Sequence, residues 1–217
     1  GSTCGNNRAD RQSGWGYRDR SCRPEGIGNG GIEKVGQGHS TVDYLESLVR
    51  LLATVQPIQV DLLAAQLRAT TGTVWILGNG GSQANAAHLV LHLRAARIEA
   101  HDLMEGLPTL SALSNDTSYQ AAPMNLLRAL GKEGDTLLVI SGSGDSINVL
   151  AALAEAKRIG MVTLGLLAFG GGAARGLCNQ AIVLDSSDYG PAEDACSALL
   201  HMLSRTLLTN PGRTLIT

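Results

Sequence analysis

The chain has 217 residues, of which 44% are apolar and 17% charged, and its formal net charge is −2. That length suits one domain with a well-buried core, and the composition suits an α/β protein with a largely buried parallel sheet. The near-neutral charge excludes a general pull towards nucleic acid or an anionic membrane, and the sequence holds no 18-residue apolar span, so a soluble cytoplasmic protein is expected.

Cys4, Cys22, Cys178 and Cys196 are scattered and form no CxxC pair, which argues against a zinc knuckle and against a disulfide framework. Residues 1–38 hold Gly, Arg, Asn and Ser without an apolar period, and turn-prone runs such as Gly28-Asn29-Gly30-Gly31 interrupt them. Their arginines are diluted by Asp10, Asp19 and Glu25. A flexible, solvated leader is expected there, ahead of one domain over 39–217 that opens with a helical segment.

Ser40 or Thr41 can cap a first helix, whose apolar side recurs at Tyr44, Leu45, Leu48, Leu51 and Leu52. Pro57 breaks it, and a second amphipathic stretch runs from about Val60 to Leu67. Thr73 to Leu77 then reads as a short buried strand, followed at once by Gly78-Asn79-Gly80-Gly81-Ser82 and a helix over about Gln83 to Ala95. The same unit returns as the strand Leu137 to Ile140, the loop Ser141-Gly142-Ser143-Gly144-Asp145-Ser146 and a helix from Val149 to Ile159. Met161 to Leu167 and Ala181 to Leu184 are further strands, and Ala192 to Leu208 a final helix. Strands alternating with helices predict a doubly wound parallel sheet flanked by helices, a three-layer α/β/α fold.

Both loops sit at the carboxyl end of a strand and open a helix, where unpaired backbone N–H groups and the helix dipole favour an anion. The hydroxyls of Ser82, Ser141, Ser143 and Ser146 add uncharged donors. Neither loop has the spacing of a dinucleotide fingerprint or the Gly-Lys-Ser/Thr ending of a P-loop, so no nucleotide cofactor is expected. Ser143 and Ser146 lack His and Asp partners in the order a hydrolase needs, and Cys196 reads as core packing.

These two loops resemble the phosphosugar loops of SIS-domain (sugar isomerase) phosphoheptose isomerases, which usually read GNGGS and STSGNS. Here Gly142 stands where that pattern has Thr and Asp145 where it has Asn. Asn115-Asp116 resembles another family loop near the sugar, and the final helix follows the family pattern, so the resemblance covers about residues 41–208. It implies that Asn79, Gly80, Ser82, Asn115, Asp116, Ser141, Ser143 and Ser146 bind the sugar phosphate.

Three of the five histidines occupy telling positions. His88 and His92 are i, i+4 on the helix that follows the first loop, the spacing of a helical two-histidine metal pair. His201 follows Glu193 by eight residues on the last helix, about 80° further around it, so the two can converge on one site. Asp194 is a rival for Glu193. In the family the matching positions are His and Glu on the first helix and Gln and His on the last. The family Glu and the later His are its proposed acid–base pair, and some members bind zinc through the same four residues. Carried over, the set is His88, His92, Glu193 and His201, with Glu193, His201 and His92 as the catalytic candidates and a divalent metal, zinc, as the implied cofactor. One carboxylate has left the first helix and another has arrived on the last.

The resemblance implies an aldose–ketose isomerase acting on a phosphorylated sugar, sedoheptulose 7-phosphate foremost. It also implies a homotetramer with sites between subunits. A non-catalytic phosphosugar-binding protein of the regulatory or initiator-binding type is the alternative that the altered base position raises.

Overall fold

The computed structural model describes residues 40–209, and the expected flexible leader lies outside the described residues. Ser40 opens helix α1 (Thr41–Thr54) with a capping box: its hydroxyl accepts from the Asp43 N–H, and the Asp43 carboxylate accepts from the Ser40 N–H. Helix α2 (Pro57–Ala69) starts three residues before the expected amphipathic stretch. Pro57 begins this helix rather than merely ending the one before, because a first-turn N–H has no intrahelical acceptor to lose.

Five strands follow in one parallel sheet, interleaved with helices. They are β1 (Val74–Leu77), β2 (Ala100–Asp102), β3 (Thr136–Ser141), β4 (Val162–Leu167) and β5 (Gln180–Val183). Their spatial order is β2-β1-β3-β4-β5, with Val74 level with both Ala100 and Thr136. Helix α3 (Gly81–Ala95) follows β1, and α4 (Leu107–Asp116) and α5 (Ala122–Leu130) precede β3. Helix α6 (Ile147–Ile159) follows β3, a 3-10 turn (Phe169–Gly171) and α7 (Ala174–Leu177) precede β5, and α8 (Tyr189–Leu208) closes the domain. The strand β2 and the helices α4, α5 and α7 add to the elements expected from the sequence.

Alternation along the central strand β3 divides the core. Leu138 and Ile140 pack with α1, α2, α3 and α8 on one face, whereas Leu137 and Val139 pack with α5, α6 and α7 on the other. The three-layer α/β/α expectation therefore holds. In a sheet of this order the strand order reverses between β1 and β3, and the crevice beyond their carboxyl ends is where such folds take ligands. Both serine loops end there.

At the opposite end of the sheet, the buried Asp135 accepts from Thr73 N (2.8 Å), Trp75 Nε1 (3.0 Å) and Lys132 N (3.0 Å). Asp135→Ala leaves these donors without their acceptor, and a loss of about 3 kcal/mol is expected in the free energy of urea unfolding. No single helix among the described residues is long and apolar enough to cross a membrane. The pair α1 and α2 passes by length and composition only, bent by 68°.

Candidate active site at the sheet switch point

The crevice between β1 and β3 holds a cavity of about 140 Å³ lined by Asn79, Ser82, Ile140, Ser141, Gly142, Ser143, Ser146, Tyr189 and Glu193. Ser82 is the second residue of α3 and buried, and Gly80, the N-cap of that helix, has φ +56. Ser141 ends β3 and its hydroxyl oxygen accepts from the Gly144 N–H at 3.1 Å, while the Ser143 hydroxyl accepts from the Asp145 N–H at 3.2 Å. An oxygen that accepts from the backbone keeps its own proton to donate, so both serines are set as donors to an anion. Ser146 is the N-cap of α6 and makes no side-chain cap bond.

Asp145 does not bring its carboxylate to bear on this cavity. It is exposed and accepts from Ala173 N at 2.8 Å, which joins the loop to the start of α7. Gly142, the other departure from the family loop, makes room for an aromatic side chain: a β-carbon there would stand 2.6 Å from Tyr189 Cε1.

Asn79 has a positioning arrangement that its sequence context did not disclose. Its side-chain N–H donates to Asn148 Oδ1 at 3.0 Å, and Asn148 Nδ2 donates back to Asn79 Oδ1 at 2.8 Å. Tyr119 also donates to Asn79 Oδ1, at 2.6 Å. This reciprocal pair ties the β1–α3 loop to the start of α6, so the two serine loops are held at one spacing. Asn148→Ala is expected to weaken inorganic phosphate binding about tenfold in titration calorimetry by releasing that spacing. The signal that could have found Asn148 is a polar residue directly after a functional loop, on the buried side of its helix.

Asn115 and Asp116 are not among the cavity's lining residues. They form the last turn of α4, are exposed, and bond to each other at 3.1 Å. A helix therefore replaces the expected loop, and Tyr119 just beyond it makes the contact to Asn79.

Among the described residues, Glu193 is the only carboxylate in the lining. It lies in the first turns of α8, its carbonyl accepts from Asn85 Nδ2 at 3.0 Å, and its carboxylate accepts from the Ser82 N–H. A β-carbon on Gly81 would collide with that carboxylate, so the glycine is what lets it rest on the start of α3. Burial raises the Glu193 carboxyl above its ordinary range and nearby Asp194 adds to the shift, whereas the Ser82 N–H opposes it. Asp194 is ruled out as its rival, because it accepts from the Tyr44 hydroxyl at 2.7 Å and faces α1. Burial, with that bond and its charge, pushes the Tyr44 phenol up to about 12.

Further along the parallel pair α3 and α8, His88, His92 and His201 meet. One ligand nitrogen from each lies within 4.8 Å of the others, and the His88 ring centroid is 4.5 Å from that of His92 and 5.1 Å from that of His201. Burial holds His92 below its usual imidazole range, and the two neighbouring histidines push it the same way, so it stays neutral. Its Nε2 is buried with no hydrogen-bond partner among the described residues. A buried, neutral, partnerless imidazole nitrogen facing two others suits a divalent cation. Glu193 is not part of this cluster. Eight residues of α8 separate it from His201, about 12 Å of helix rise, and its side chain turns back towards Ser82. The expected four-residue set is thus divided into a three-histidine group and a carboxylate between that group and the serine loops.

Comparison with known proteins now decides the family. The SIS domain profile matches residues 43–168. The chain belongs to the SIS-domain family. Among the relatives of this SIS domain, phosphoheptose isomerase 1 of Campylobacter jejuni is 31% identical over 182 residues, covering 81% of this chain and 96% of the relative. The phosphoheptose isomerase of Burkholderia pseudomallei is 35% identical over 160 residues, covering 71% and 80%. A solved phosphoheptose isomerase from Francisella tularensis superimposes with a TM-score of 0.72 at 26% identity, covering 78% of this chain and 98% of that one. The SIS-domain expectation drawn from the two serine loops is met.

Proposed function

We propose that this protein is an aldose–ketose isomerase of phosphorylated sugars, as its relatives named phosphoheptose isomerase support, with sedoheptulose 7-phosphate as its substrate. The observation that carries the reading is a cavity that joins four serines at two helix starts to one carboxylate with a raised pKa. The phosphate sits on Ser82, Ser141, Ser143 and Ser146, and the sugar extends along α3 and α8 towards the histidines. Glu193 takes a proton from C1 of the ketose, and the freed electron pair forms the C1–C2 double bond as the C2=O π pair moves onto O2, which takes up a proton to give the enediol. A proton then returns to C2 as O1 gives up its hydroxyl proton and C1 becomes the aldehyde.

His88, His92 and His201 would hold a divalent cation, with zinc the best match to three imidazoles and an open fourth position. Such an ion supplies Lewis-acid polarisation of the sugar carbonyl. The buried, unpartnered His92 Nε2 supports this assignment.

The same reading includes a homotetramer with sites between subunits. Val42, Leu45 and Val49 stand on one side of α1 at 56–66% exposure, joined by exposed Ile58 and Leu62 on α2, and Leu91 and Met202 are exposed beside the histidines. An apolar surface of that extent next to the site supports burial against a second copy. The free thiols Cys178 and Cys196 fit a reducing cytoplasm.

The function is tested by incubating the purified protein with sedoheptulose 7-phosphate and zinc and following the anomeric protons of the product aldose by NMR. Their growth is expected. A ketose signal that never declines, at any metal loading, would overturn the assignment.

A further inference from the structure

Among the described residues, Tyr189 is the one aromatic side chain lining the serine cavity. It is the first residue of α8, directly after the N-cap Asp188, whose carboxylate accepts from Gly190 N at 3.1 Å and fixes the entry of the chain into the helix. Its ring is held by two neighbours. Phe169 packs on it at 4.7 Å between centroids and 41° between planes. Phe169 is in turn fixed by the bond from its N–H to Ser186 O at 2.8 Å, and it keeps φ +49, a strained value for a residue with a side chain. The ring also lies against Gly142, where a β-carbon would stand 2.6 and 2.7 Å from two ring carbons. The Tyr189 hydroxyl makes no hydrogen bond with any of the described residues. A ring clamped this way, beside a strained neighbour and a residue without a side chain, is a wall built into the cavity.

We infer that Tyr189 is a specificity-determining residue. Its ring forms the wall along which the carbon chain of the bound sugar phosphate lies, and its hydroxyl donates to a sugar hydroxyl, while the serines alone hold the phosphate. The inference rests on the sugar-phosphate reading above. An aromatic side chain with an apolar body and a polar tip suits the alternating C–H and O–H surface of a sugar, and a tyrosine hydroxyl discriminates between ligands that can and cannot pair with it. Inorganic phosphate, which has no carbon chain, gains nothing from this wall.

The test compares two probes on wild type, Tyr189→Phe and Tyr189→Leu by titration calorimetry: sedoheptulose 7-phosphate and inorganic phosphate. Tyr189→Phe is expected to weaken the sugar phosphate about tenfold through the lost hydrogen bond, Tyr189→Leu more, with inorganic phosphate unchanged within about twofold in both. Gly142→Ala, which pushes the ring from its seat, is expected to lower the ratio of the two affinities in the same direction. An equal fall for both probes would mean that Tyr189 only supports the loop, and an unchanged sugar phosphate would mean that it does not touch the ligand; either overturns the inference. A wild type that binds neither probe would instead overturn the pocket reading beneath it.

Discussion

Glu193→Gln lowers kcat/KM for sedoheptulose 7-phosphate by about 10²–10⁴-fold, the usual worth of a positioned general base. Glutamine keeps the volume and an oxygen that can still accept from the Ser82 N–H, so the helix start and the phosphate site survive and the loss falls on proton transfer. The pH dependence gives a second signature. Burial raises the Glu193 carboxyl, and the reaction needs it ionised. Activity is therefore full above that raised value and falls as pH drops through it, so the wild-type acid limb stands above the ordinary carboxylate range. The Glu193→Gln variant loses that limb. Restoring the order of residues seen in the family, by adding His92→Glu to Glu193→Gln, is expected to recover part of the rate by returning a carboxylate to the first helix. Pre-steady-state and steady-state kinetics across pH check both statements.

The second large effect concerns the three histidines. His88→Ala combined with His201→Ala removes two of the three nitrogens that lie within 4.8 Å of one another, and the purified variant is expected to contain no zinc by elemental analysis. Lewis-acid assistance is worth several kcal/mol, so kcat/KM falls by at least about 10²-fold. Inorganic phosphate binding is expected to stay, because Ser82 stands nearly two turns from His88 on α3 and the other three serines lie on the β3–α6 loop. Wild-type rate in a zinc-free variant would remove the ion from the account.

The strands β1, β3, β4 and β5 were legible because a strand buried on both faces must be a short aliphatic run, and Thr136–Ser141 is buried throughout. The edge strand β2 has only Ala100, His101 and Asp102, too short and too polar to show a period. Helices α4 and α5 carry Pro108 and Pro123 in their first turns, where proline is tolerated, but in a sequence the same residue looks like a break. The loop expected at Asn115 and Asp116 rested instead on the family resemblance.

In the site, the serine loops followed from the strand–loop–helix pattern and the His88–His92 pair from helical spacing, whereas the meeting of that pair with His201 followed from the family resemblance. The direction of the Glu193 side chain did not, since it depends on the room that Gly81 leaves on a neighbouring helix. Asn148 and Tyr119 reach Asn79 from 69 and 40 residues away, and no local pattern announces such a bond. The place of Tyr189 in the cavity wall likewise depends on packing between elements, its ring filling the space beside Gly142. Spacing within one helix can be read from sequence, but packing between elements needs coordinates.

The most direct measurement is proton NMR of sedoheptulose 7-phosphate incubated with the zinc-loaded protein in D₂O. Deuterium is predicted to enter at C1 and C2, the carbons that exchange a proton through the enediol, even where net conversion is slow. Protons that stay in place, while broadening of the phosphorus signal proves that the sugar phosphate is bound, would contradict the isomerase account and leave a protein that holds sugar phosphates without transforming them.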